Sequence, residues 1–151
     1  MKSFATRIDI RAPVAIVWQV LVDLPDWSRW NSAVQRTEGT IAHGAKVTVF
    51  VHQSPGRAFP VKVATFDPPR GMIWIGGMPL GLFTGTRSFE LAASSDDTTE
   101  FGMRETYSGP LAGMIGKSIP DLQPAFDAFA QCLKVEAERR HRSDGAVGGL
   151  P

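Results

Sequence analysis

The sequence has one cysteine, no long apolar run and almost no net charge, and each shortage removes a class of answer. Its single thiol, Cys132, cannot close an intrachain disulfide. The fold must therefore rest on burial and hydrogen bonding, and a reducing, cytoplasmic setting is expected. No stretch approaches the roughly 20 apolar residues that a membrane-spanning helix needs. Met1–Arg7 runs into alternating polar residues where a secretory signal would carry an apolar centre. Lysine and arginine number 16 against 15 aspartates and glutamates, for a net charge of +1 with both signs spread along the chain. Nucleic-acid binders show a broader basic face, so no nucleic-acid partner is expected. The densest basic run, Arg139-Arg140-His141-Arg142, suits the negative end of a helix dipole. The three histidines, His43, His52 and His141, have no cysteine or carboxylate beside them at metal-ligand spacing, so neither a metal nor another cofactor is expected. Cys132 lacks a nearby histidine partner and reads as buried and inert. Gly76-Gly77 and Gly113-x-x-Gly116 lack the strand–loop–helix setting that phosphate binding requires.

What is present is enough for one domain. A chain of 151 residues can bury roughly 68–70% of its unfolded surface without staples. Residues 4–11 alternate, with Thr6, Ile8 and Ile10 on one face and Arg7, Asp9 and Arg11 on the other, which predicts a half-buried strand. Ala12-Pro13 ends it, and Pro13 suits the first position of a helix. Val14, Val17, Trp18 and Leu21 share one face of that helix. Asp23-Leu24-Pro25 breaks it and starts a second, short helix carrying Trp27 and Trp30. Strands are predicted at Ala45–His52, Pro60–Phe66, Met72–Gly76, Thr84–Ala92 and Thr98–Ser108. Asp67-Pro68-Pro69-Arg70-Gly71 marks a turn between two of them, and Gly76–Gly81 reads as a loop, a lid over a cavity mouth.

From Pro110 the period becomes helical. Leu122, Phe126, Phe129, Leu133 and Ala137 form one stripe, opposite Asp127, Gln131, Lys134 and Glu138. Pro124 lacks an N–H and crowds the preceding turn, so a break or kink is expected between Ser118 and Pro124. Residues 1–142 are expected to form the domain and 143–151, rich in glycine and small residues, a flexible tail. Antiparallel hairpins with helices gathered on one side give an α+β architecture. A curved sheet around one amphipathic helix has an inside, and whether it is filled or hollow decides the function.

The chain resembles the START-like, helix-grip superfamily in its polyketide cyclase/dehydratase-like (SRPBCC) branch. The resemblance rests on Ile10-x-Ala12-Pro13-x-x-x-Val17-Trp18-x-Val20-Leu21-x-Asp23 and on Trp27-x-x-Trp30-Asn31 followed by Gly39 and Gly44. Asp67-Pro68-Pro69 leading into Ile73-Trp74-x-Gly76, Phe89-x-Leu91, Glu105-x-Tyr107-x-Gly109 and the terminal helix continue it. Together these span about residues 4 to 140. The resemblance implies a curved antiparallel sheet gripping a long C-terminal helix over an apolar cavity. It does not select a function, because such folds host carriers, enzymes and interaction modules alike.

The last hairpin yields a specific expectation. If residues 94–98 form its loop, Leu91 faces Phe101, Phe89 faces Met103, Arg87 faces Glu105, and Tyr107 sits over Gly85. An Arg87–Glu105 pair then points into the concave side. Arg87 could orient a carboxylate or enolate oxygen, with Glu105 or Tyr107 moving a proton; equally, the three could be a structural ion pair near the sheet edge. The candidate ligand-binding set is Trp74, Arg87, Phe89, Phe101, Met103, Glu105, Tyr107, Leu122, Phe126 and Phe129, mostly apolar with few polar groups as ligand pockets are. Three functions are compatible: a carrier for a small hydrophobic or aromatic ligand, a polyketide cyclase/dehydratase-type enzyme, or a filled-core interaction module. A monomer or homodimer is expected, since open sheet edges permit pairing.

Overall fold

The computed structural model describes residues 3–52 and 56–148. Seven antiparallel strands form one curled sheet in the order β1-β7-β6-β5-β4-β3-β2. They are β1 (Ser3–Ile10), β2 (Val34–Glu38), β3 (Lys46–Val51), β4 (Ala58–Asp67), β5 (Gly71–Gly77), β6 (Thr84–Ser95) and β7 (Thr98–Ser108). Between β1 and β2 lie α1 (Val14–Val22), a 3-10 turn at Leu24–Asp26 and α2 (Trp27–Trp30). After β7 come α3 (Ala112–Gly116) and the long α4 (Gln123–Gly148). This is the helix-grip, α+β layout expected. Among the described residues no helix is long and apolar enough to cross a membrane.

Local chemistry explains most boundaries. Pro13 sits one residue before α1, as its N-cap rather than its first residue, and its carbonyl accepts from Ile16 and Val17. Val17, Trp18, Val20 and Leu21 then bury one face of the helix. The expected interruption near Pro124 is a full break: α3 ends at Gly116, and Pro124 falls in the first turn of α4, where its missing N–H costs nothing. The N–H of Gln123 there is taken by Asp121 Oδ1 at 3.1 Å. The helix continues to Gly148, past the expected domain boundary at 142, so that part of the tail is helical; residues 149–151 lie outside the described residues.

α4 lies along β1. Gln123 Nε2 donates to the carbonyl of Ala5 at 2.6 Å, Lys134 Nζ to that of Asp9 at 3.0 Å, and Arg11 N to Glu138 Oε2 at 2.9 Å. Lys134 and Glu138 therefore turn toward β1 instead of standing on the outward face expected for them. Glu136 is also buried, its side chain 5% exposed, and it meets Arg29, Arg139 and Arg140, while Asp26 bridges Arg29 and Arg140. This network ties α2 to α4. Burial pushes the Glu136 carboxyl up, but hydrogen bonds from Arg139, Arg29 and Arg140 outweigh that and hold it at about 2.

Candidate functional site

The inner face of the sheet can be followed row by row. Phe4, Glu105, Arg87 and Trp74 are cross-strand neighbours on β1, β7, β6 and β5, with Val63 of β4 next. The following row toward the open end is Tyr107, Gly85 and Gly76. The hairpin register is the expected one: Leu91 faces Phe101, Phe89 faces Met103, Arg87 faces Glu105, and Gly85 faces Tyr107. A bulge between Ala93 and Ser95 lies beyond these pairs and leaves them in place.

The three polar candidates form one cluster. Arg87 Nε donates to Glu105 Oε1 at 3.0 Å, and the Tyr107 hydroxyl donates to Glu105 Oε2 at 2.6 Å. Arg87 lies over the Phe126 ring of α4, 4.8 Å from its centroid, and its side chain stays 29% exposed against 15% for Glu105. Only Nε of its guanidinium is engaged among the described residues. Burial, then the hydrogen bond to Glu105, push the Tyr107 phenol above its usual range, so it stays protonated and donating. Its ring stacks on Phe83 at 5.6 Å, meets Phe4 edge-on at 6.4 Å and leans across Gly85. Phe83 escapes a reading confined to Thr84–Ala92; continuing the alternation of Arg87 and Gly85 by one step would place it on the same face.

The apolar candidates pack on one another. Trp74 meets Phe89 at 4.9 Å, Phe89 meets Phe129 at 6.3 Å and Phe101 meets Phe129 at 6.0 Å. Met103 is buried with them and Leu122 packs against the cluster half-buried. Trp27 enters from α2, stacked on Trp74 at 5.5 Å and edge-on to Phe129 at 5.2 Å, and Trp30 meets Phe129 at 5.6 Å. These rings pack on one another in the middle of the interior, between sheet and helix. Two hollows indent the surface elsewhere. One of about 350 Å³ is lined by Arg7, Arg70, Glu90 and Glu100 on the convex face, and one of about 220 Å³ by Trp30, Cys132, Val135 and Glu136 beside α4. The inner face remains accessible toward its far end, where Val49, Val61, Phe83 and Arg87 are half-buried and Phe59 is exposed. Among the described residues no group of three or more histidines, cysteines or carboxylates is placed to hold a metal ion.

Solved structures share this architecture at low identity. The Zhui aromatase/cyclase from Streptomyces sp. R1128 aligns over 99% of both chains, with a TM-score of 0.72 and 16% identity. A START superfamily protein from Mycobacterium smegmatis aligns over 91% of this chain and 98% of its own, with a TM-score of 0.68 and 11% identity. A hypothetical protein from Helicobacter pylori covers 90% of this chain and 88% of its own, with a TM-score of 0.72 and 14% identity. No curated protein matches the sequence. At these identities the structures carry the fold alone; the family model described as polyketide cyclase / dehydrase and lipid transport matches residues 1–138, and the chain belongs to that family.

Proposed function

We propose that the chain binds or carries a small, mostly apolar ligand bearing one oxygen anion or carbonyl, held at the open end of the inner face. The observation that carries this reading is Arg87. Its guanidinium sits over Phe126, partly exposed, with Nη1 and Nη2 unengaged among the described residues. An apolar surface with one oriented double donor is what such a ligand requires. Glu105 and Tyr107 hold Arg87 in place, while Phe126 and Leu122 form the helix side of the site. Trp74, Phe89, Phe101, Met103 and Phe129 form its floor, and a bulky ligand would have to displace some of their rings. The family's lipid-transport members support a carrier role.

The second reading is cyclase or dehydratase chemistry. The 2.6 Å contact between the Tyr107 hydroxyl and Glu105 favours it, because it joins a donor to a proton-accepting carboxylate beside Arg87. The raised phenol makes Tyr107 a donor to a developing oxyanion rather than a base. Thermal unfolding against fatty acids, flavonoids and polycyclic aromatics, each with and without a carboxylate, tests the proposal. A ligand specific to the native state adds about 2.7 kcal/mol at a hundredfold excess over its Kd. Carboxylate-bearing ligands should stabilise the protein, and Arg87→Met should abolish the preference. A flat response across the panel would leave the filled-core interaction module. For any turnover found, Glu105→Gln should cut the rate by roughly 10²–10⁴ in an enzyme and leave a carrier's affinity nearly unchanged.

A further inference from the structure

Leu80 stands on the turn between β5 and β6, 96% exposed, with a backbone φ of 61°. It is the only non-glycine residue among those described with a positive φ. Leucine resists that conformation, and asparagine or aspartate accepts it more readily. A single exposed leucine is ordinary, but Leu80 has company. Met78 and Leu82 are exposed on the same turn, and Met114 of α3 is 65% exposed. The two segments adjoin: Leu111 N donates to the Leu82 carbonyl at 2.9 Å, and a Cβ on Gly109 would stand 2.6 Å from the Gly81 carbonyl. The antiparallel registers bring two more exposed residues toward this end of the sheet, Phe59 on its inner face and Ile75 on its outer face.

The charge here has one sign. Residues 57–61, 76–85 and 107–119 contain no aspartate or glutamate, and their charges are Arg57 and Lys117, both exposed. Apolar tips on segments whose charges are Arg57 and Lys117 match an interface that is apolar below and anionic above. The tips carry no tryptophan or tyrosine, the residues that anchor most protein–protein hot spots. Leucine and methionine projecting from turns can enter a fluid layer without a complementary surface.

We propose that this end of the molecule docks on an anionic phospholipid bilayer, inserting Leu80 and Met114 while Arg57 and Lys117 meet the headgroups. The proposal is independent of any ligand in the interior. It is tested by floating the full chain with vesicles rich in phosphatidylglycerol and with vesicles of phosphatidylcholine alone. Binding is expected to the first and to be much weaker to the second. Lys117→Gln should weaken it about fivefold, the usual effect of one cation near an anionic surface. Leu80→Asp should weaken it tenfold or more through the lost apolar insertion. Aspartate accepts the positive φ, so this variant keeps the fold, which circular dichroism verifies. No flotation with anionic vesicles, equal flotation of Leu80→Asp, or equal binding to phosphatidylcholine alone would each overturn the proposal. Retention on immobilised polyglutamate without vesicle binding would assign the surface to an acidic protein partner and overturn it as well.

Discussion

Arg87 and Glu105 face each other across the β6–β7 hairpin, joined at 3.0 Å on the inner face. The pair lies where the packed aromatic interior gives way to the accessible end of the sheet, so it has both a structural and a recognition role. Arg87→Met would leave Glu105 largely buried with Tyr107 as its remaining partner. Stability measured by urea unfolding should fall by about 1–3 kcal/mol, the cost of an unsatisfied buried polar group. The double variant Arg87→Met/Glu105→Gln should recover part of that loss, because the stranded charge is gone.

Glu136 makes folding acid-sensitive. Its carboxyl falls from 4.5 to about 2 in the folded protein, so the unfolded chain binds the proton more tightly. The stabilisation is fully present above about pH 5 and is lost as pH falls toward 2, amounting to about 3 kcal/mol at 1.36 kcal/mol per unit. Asp26 and Glu138 are shifted in the same direction and add to the slope. Urea unfolding from pH 7 to pH 2 should show the decline. Glu136→Gln should be less stable at neutral pH and lose stability less steeply on acidification.

Phe129 touches Trp27, Trp30, Phe89 and Phe101. Phe129→Ala should cost about 3–5 kcal/mol and leave an apolar void. A calorimetric titration with benzene or indole should detect uptake by this variant and none by the parent, as apolar cavities stay dry and accept apolar guests.

Leu80→Asn should stabilise the protein, by about 0.5–1 kcal/mol, because asparagine relieves the left-handed backbone. A rise in thermal midpoint would establish that leucine is held there at the expense of stability. An unchanged midpoint would mean that the turn relaxes around leucine at no cost.

The hairpin register was legible because an antiparallel pair has one free parameter, set by the loop length, and burial on one face forbids a slip by one residue. The stripe on α4 was legible from its period alone. β2 was not: Gln35, Arg36 and Glu38 give no apolar alternation, and Val34 is its only buried residue. The entry of the α2 rings into the interior was also hidden, because it depends on where α2 docks. Trp27 belongs to the core by its contact with Trp74, and no local pattern encodes that contact. Glu136 lies beside the apolar stripe of α4, and only the approach of Arg29 from α2 reveals that its charge is neutralised.

The hydrogen bonds from α4 to the carbonyls of Ala5 and Asp9 have a consequence for assembly. They take up two carbonyls on the border strand β1, while among the described residues no strand pairs with the outer side of β2. Two copies meeting at the β2 border would pair border to border, around a two-fold axis. Pairing of that kind would end at two, without the runaway stacking that flat sheets invite.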